Sequence, residues 1–373
     1  RHADVLEGFR DWERYSNSHG VSLDPAASGP HAHKTMSFLA MDPPMHGRMR
    51  GLVSRGFTPR RVAELEPRIR RIARDYIDQM IQQGSVDFIA DFAGRLPMDV
   101  ISEMMGVPVA DREELRRLSD LLVHREPGVH DVPPEGMAAA LELIVYYADM
   151  LAQRKATPTD DLTSALLAAE IDGDRLTDDE ITGFLFLMVV AGNETTTKLL
   201  ANAWYWAWRN PDERAKPFAD ASYIPTWVEA TLRYDTPSQL LARITTTDAE
   251  MYDGVTPAAD RAVPLAGSAN RDPRVFADAD RYDLDRAEPL PQLASFGFGR
   301  HFCMGASLAR LEARVALEEL VRAFSTYEIE PSGIERLLQL GDPRLELQAQ
   351  AGPDVRQPLP HLHDDGRDTV QTL

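Results

Sequence analysis

The chain has 373 residues, 43% hydrophobic and 27% charged, a globular composition with room for one large domain or two smaller ones. Its net charge of −19 excludes nonspecific attachment to nucleic acid or to an anionic membrane surface. The longest apolar stretch, Ile181 to Gly192, falls well short of the roughly 20 residues that span a bilayer, and a single cysteine, Cys303, excludes a disulfide framework or a cysteine-based zinc cluster.

The sequence opens at Arg1 directly in a helical pattern and without a methionine, so the expected fold lacks its amino-terminal segment. Arg61 to Gln83 carries Val62, Leu65, Ile69, Ile72, Ala73, Tyr76 and Met80 at spacings of three and four, which predicts one helix with one buried face. The same periodicity predicts helices over Met98 to Met105, Glu113 to Leu122, Gly136 to Arg154, Leu162 to Glu170 and Trp227 to Tyr234. Thr177-Asp-Asp-Glu180 reads as a capping box, with Leu176 and Ile181 as its hydrophobic staple. The helix it opens is apolar on all sides through Val189, then meets Ala191-Gly-Asn-Glu-Thr-Thr196. Such polar groups in mid-core are costly unless paired or hydrated; the alternative is a helix emerging into solvent, which Lys198 would suit.

Strand patterns are sparse: Gln239 to Thr246, Met251 to Val255, Val263 to Ala266 and Tyr327 to Glu330. Ala269 to Pro291 reads as a long loop of functional length. The expected architecture is therefore mainly α with a small β part, one domain over residues 1–351 and a flexible tail over 352–373. His31 with His33, and His361 with His363, could each chelate a metal, but no further ligand stands at helical spacing.

The most informative stretch is Phe296-Gly-Phe-Gly-Arg-His-Phe-Cys303-Met-Gly305. Gly297, Gly299 and Gly305 let the backbone wrap closely around something flat near Cys303. A helical stripe follows (Leu308, Leu311, Val315, Leu320, Phe324), so the cysteine precedes a helix amino terminus, whose dipole favours a thiolate. A buried structural cysteine and an axial iron ligand both fit these residues.

This segment resembles the heme-binding signature of the cytochrome P450 family, Phe-x-x-Gly-x-His/Arg-x-Cys-x-Gly, and four further segments stand in the family's order as far as about Arg336. The resemblance implies the cytochrome P450 fold, heme b as cofactor, and Cys303 as the metal ligand, with Phe296, Gly297, Arg300, His301 and Gly305 around it. Ala191 to Thr196 resembles the Ala-Gly-x-Glu/Asp-Thr motif, which implies a helix that opens beside the heme: Glu194 relays protons, Thr195 holds the protonating water, Gly192 leaves space for dioxygen and Ala191 faces the substrate. Ser37 to Arg60, with Met-Asp-Pro-Pro and Arg-Gly-Phe-Thr-Pro, resembles the propionate-binding helix, implying His46, Arg50, Arg243 and His301 as propionate partners. Leu187, Ala191, Leu240 and Leu241 would line the substrate pocket, together with parts of Gly20 to Lys34 and Leu122 to Met137.

One departure stands out. The family's Glu-x-x-Arg pairs its glutamate with Arg233 and with a second arginine, here Arg281, yet the glutamate position is Ala230 and Glu229 lies about 100° around the helix. The implied activity is a cytoplasmic heme-thiolate monooxygenase that inserts one atom of dioxygen into an apolar small molecule. A ferredoxin-like donor with its reductase would supply the electrons, since no nicotinamide fingerprint appears, and Arg48, Arg55, Arg60, Arg61 and Arg310 would steer it. The alternative is a degenerate, noncatalytic heme- or ligand-binding relative, because Ala230 damages the structural cluster. A peroxide-driven enzyme would not need Glu194 and Thr195.

Overall fold

A computed structural model describes residues 1–23, 27–54, 57–124, 131–251, 254–286 and 290–334. Helices follow one another as α1 (His2–Arg10), α2 (His33–Met36), α3 (Met45–Val53), α4 (Pro59–Ala63), α5 (Glu66–Gln83), α6 (Arg95–Met105), α7 (Arg112–Val123), α8 (Pro134–Ala156), α9 (Leu162–Ala168), α10 (Asp178–Arg209), α11 (Pro211–Ala219), α12 (Ile224–Tyr234), α13 (Ala266–Ala269) and α14 (Ala306–Ala323). The strands are β1 (Tyr15–Ser16), β2 (Glu170–Ile171), β3 (Asp174–Arg175), β4 (Arg243–Thr245), β5 (Ala249–Met251), β6 (Gly254–Thr256) and β7 (Arg261–Ala262). They pair antiparallel as β1-β4-β7, β2-β3 and β5-β6.

The axis of the molecule is α10, which packs against α2, α6, α8, α12 and α14. Its start is fixed as the sequence requires: the Glu180 N–H donates to Thr177 Oγ1 at 3.2 Å and the Thr177 N–H to Glu180 Oε2 at 2.8 Å. Because partners cover every side, Ile181, Phe184, Leu185 and Val189 are wholly buried. Arg48 of α3 reinforces this end with bonds to Glu180 at 2.5 Å and to Asp174 at 2.6 Å and 2.9 Å. Arg48 is thus not a free surface cation.

The face that carries the cysteine loop is held by an ion cluster between α5 and α14. Glu319, only 3% exposed, accepts from Arg70 at 2.6 Å, Arg74 at 2.8 Å and Arg322 at 3.0 Å, while Arg314 bridges Glu66 and Glu318.

The structure departs from the sequence pattern in several places: the strand expected over Gln239 to Thr246 is confined to β4, and Met251 to Val255 is shared between β5 and β6. The helix expected over Arg61 to Gln83 is divided into α4 and α5, because Pro67 has no N–H to continue a helix but fits the first turn of a new one. Glu170, expected in a helix, begins β2. Val263 to Ala266 is not a strand, since Pro264 ends the pairing of β7 and Ala266 starts α13. Tyr327 to Glu330 is extended but unpaired among the described residues. The tail at 352–373 and the His361/His363 pair lie outside the described residues, as does Arg55.

Candidate active site

The loop before α14 is built by its glycines. Gly297 (φ +68°) and Gly299 (φ +70°) adopt left-handed backbone, and a side chain at Gly299 would meet the backbone of α1, 3.2 Å from the Cα of Arg10. The Cys303 N–H donates to the Phe296 carbonyl at 2.9 Å, closing the loop and setting the thiol just ahead of α14. The thiol is exposed to solvent, yet protein surrounds it closely enough that burial pushes its pKa up, opposed by the Gly305 and Ala306 N–H groups and by Arg50 and Arg310. Amide donors and two guanidinium groups are the surroundings that a thiolate ligand requires.

Beside the loop, three elements bring cations and donors to one place. From α3 come His46 and Arg50, one turn apart; from β4 comes Arg243; from the loop itself comes His301. The His46 and His301 rings lie 4.2 Å apart between centroids. Arg243 is 3% exposed and gives one bond, to its neighbour's carbonyl, Ala242, at 2.8 Å. Arg50 donates to the Phe302 carbonyl at 2.6 Å. Yet His46 Nε2, both His301 ring nitrogens, Arg50 Nη1 and Arg243 Nε are buried with no hydrogen-bond partner.

The electrostatics agree. Burial, with Arg50 and Arg300 beside it, lowers His46 to about 4; burial, with His46, Arg243 and Arg50, lowers His301 to about 2; burial lowers Arg243 to about 10. Buried polar groups normally have partners, so a nest of cationic and donor atoms without an acceptor fits a dianion such as the two carboxylates of a porphyrin. Arg300 contributes through its charge on His46, and its guanidinium lies over the Trp12 ring, 5.8 Å from the centroid.

On α10, Ala191 is exposed although its turn is otherwise packed, while Leu187 one turn earlier is 8% exposed. The Thr195 hydroxyl donates to the Ala191 carbonyl at 2.8 Å, and Glu194 pairs with Lys198. The expected opening of the helix is not present: α10 is continuous through this stretch, with the Thr195 hydroxyl folded back onto it. Nor does the bare face of Gly192 look onto open space. A Cβ there would sit 2.9 Å from Cδ1 of Ile101, so the glycine lets α6 approach α10. Leu240 and Leu241 are half-buried, and Leu241 packs with the cluster of Val5, Phe9, Ala266 and Ala294.

The Glu-x-x-Arg cluster lacks its carboxylate and has changed its second cation. Arg233 is fully buried and donates to the carbonyls of Ala279 (2.7 Å), Asn270 (3.3 Å) and Arg281 (2.7 Å). The Arg281 side chain does not meet it: it is 62% exposed and lies 3.8 Å from Glu213. The second cation is instead Arg286, which donates to the same Arg281 carbonyl at 3.1 Å. Sequence reasoning missed Arg286, for which the spacing in Tyr282-Asp-Leu-Asp-Arg286 was the available signal. Glu229 does not turn in to replace the missing carboxylate, because Arg310 holds it at 2.5 Å and 3.1 Å. That pairing also removes Arg310 from the free cations of this face.

With this geometry in view, the relatives are decisive. The profile of the family described as Cytochrome P450 matches residues 215–341. The protein named cytochrome P450 123 in Mycobacterium tuberculosis is 57% identical over 337 residues, which cover 90% of this chain and 84% of that one. This chain belongs to the cytochrome P450 family. The vitamin D(3) 25-hydroxylase of Pseudonocardia autotrophica is 39% identical, covering 86% of this chain and 78% of that one. Among solved structures, CYP109E1 from Bacillus megaterium in complex with testosterone matches with a TM-score of 0.79 at 32% identity, covering 91% of this chain and 88% of that one. The chain thus has the mostly helical P450 fold, takes heme b and is a P450 monooxygenase. Nothing in the comparisons favours the degenerate reading. Among the described residues no helix is long and apolar enough to cross a membrane, and no cluster of three metal-ligating side chains occurs, His31 and His33 included.

Proposed function

We propose that Cys303 would ligate the iron of this P450's heme and that His46, Arg50, Arg243 and His301 would hold its carboxylates. The observation that carries this reading is the set of buried, unpartnered donors beside the cysteine loop. When bound, heme supplies the redox chemistry that splits dioxygen and transfers one oxygen atom to substrate. The protein's own residues do the rest. Arg50 donates to the carbonyl next to Cys303 and braces the loop. The Gly305 and Ala306 N–H groups hold charge on sulfur. Glu194 delivers protons by turning away from Lys198, and Thr195 exchanges its bond to the Ala191 carbonyl for one to an ordered water.

Leu187, Ala191, Leu240 and Leu241 would give the substrate side an apolar lining, which suits a hydrophobic, ring-bearing substrate. The testosterone complex and the vitamin D(3) hydroxylase among its relatives are of this kind. Electrons come from a separate ferredoxin-like protein and its reductase, acting in the cytoplasm. With Arg48 and Arg310 neutralised and the exposed Arg60 paired with Glu64, exposed Arg61 and Arg300 are left to meet it among the described cations named for this face.

The test is turnover of a steroid with ferredoxin and reductase, measuring product formed per electron consumed. Thr195→Ala keeps its heme content and diverts electrons to hydrogen peroxide. Full coupling in that variant removes Thr195 from proton delivery.

A further inference from the structure

Arg233 is the most deeply placed charge on this side of the fold. It is 0% exposed, and among the described residues no carboxylate accepts a hydrogen bond from it. Its three partners are all backbone carbonyls, and its Nε–H has none. Arg286 donates to the Ala277, Asp278 and Arg281 carbonyls, and its own Nε is also buried without a partner. Both guanidinium groups thus converge on the Arg281 oxygen, at 2.7 Å and 3.1 Å.

Two like charges so placed repel, and a buried cation without a counter-charge is strongly destabilising. Deprotonation offers no escape. Burial, Arg286 and Arg271 lower Arg233 only to about 10, so it stays charged near neutrality. Of the nearby acids, Glu229 is held by Arg310 and Glu213 by Lys216 and the Leu284 N–H, while Asp283 attracts Arg233 from a distance but accepts the Asp285 N–H and takes no hydrogen bond from Arg233. On the face of α12 that adjoins Arg233, one turn back, stands Ala230, a methyl group that brings no charge.

We propose that a small monovalent anion, of the size and charge of chloride, binds at the Arg233 Nε–H beside Ala230 and serves as the counter-ion of Arg233 and Arg286. The buried Arg233 Nε–H, which has no acceptor, supplies the hydrogen bond such an anion needs, the two guanidinium groups supply the charge, and the methyl of Ala230 brings no carboxylate to the site. The site is structural, remote from oxygen chemistry, and makes the stability of the protein depend on the identity of the anion present.

Melting of the heme-loaded protein in chloride, against gluconate at equal ionic strength, reads the effect. A saturable rise of about 3 °C is expected with chloride well above its dissociation constant. Ala230→Glu supplies the charge from the chain, so its melting temperature is higher in gluconate and no longer rises with chloride. Identical melting of the parent in both salts overturns the site, and a chloride response kept by Ala230→Glu overturns its place. Anomalous scattering from a crystal soaked in bromide decides independently of the variant's folding. A peak at hydrogen-bond distance from Arg233 Nε supports the proposal, and absence of a peak there contradicts it.

Discussion

Replacing Gly192 by alanine separates two roles for that glycine: leaving room for dioxygen and allowing two helices to touch. A Cβ at this position would stand 2.9 Å from Cδ1 and 3.0 Å from Cγ1 of Ile101, both closer than ordinary van der Waals contact. Overpacking of this kind costs about 1–3 kcal/mol. The substitution also raises helix propensity by about 1 kcal/mol, so the net loss is about 0–2 kcal/mol. Ile101 is 2% exposed, and trimming it to valine removes the nearer of the two atoms at a cost of about 1 kcal/mol. The double variant then recovers most of the clash, with a coupling of about 1 kcal/mol or more in a double-mutant cycle measured by denaturant unfolding. Strict additivity of Gly192→Ala and Ile101→Val, with product yield lost in Gly192→Ala alone, would refute the packing account and return the glycine to the oxygen side.

Other substitutions test the parts that hold the site. Glu319→Gln releases three arginines; because Arg74 and Arg322 are 52% and 61% exposed, the loss is about 2 kcal/mol and not the full value of a buried pair. Burial would raise the Glu319 carboxyl, but its bonds from Arg74 and Arg70 hold it below the usual range. Its contribution is therefore present above the ordinary glutamate pKa and lost as pH falls through the lowered one, so the gap between parent and variant in a pH-resolved melting series closes on acidification. Arg243→Met should act with opposite signs on the two forms. Heme-free protein melts higher because a buried cation without an acceptor is gone, while heme is retained about 10–100-fold more weakly, as expected for loss of one charged hydrogen bond.

What the sequence made legible was local. The capping box at Thr177 and Glu180 and the glycines around Cys303 are backbone requirements, and both halves of the box and both left-handed glycines are in place. The stripes of α5, α8 and α14 announced themselves through periodicity, since burial on one face leaves its mark every three or four residues. Side-chain direction within aperiodic sequence was not legible. In the loop between α13 and α14 the spacing that marks Arg286 was outweighed by the resemblance that pointed to Arg281; the convergence of carbonyls at 277–281, a tertiary property, chose Arg286 and turned Arg281 outward. The same holds for α10, where the family resemblance implied an opened helix at the polar stretch. Thr195 and Lys198 satisfy those groups within the helix, by bonds to Ala191 and Glu194.

The central claim, that Cys303 binds the heme iron as a thiolate beside a cationic cradle, is tested most directly by the absorption spectrum of the reduced carbon monoxide complex. The parent protein should show the thiolate-ligated signature. Cys303→Ala should lose it while Arg50, Arg243, His46 and His301 still provide their donors to the porphyrin carboxylates. An unchanged spectrum in Cys303→Ala would contradict the assignment.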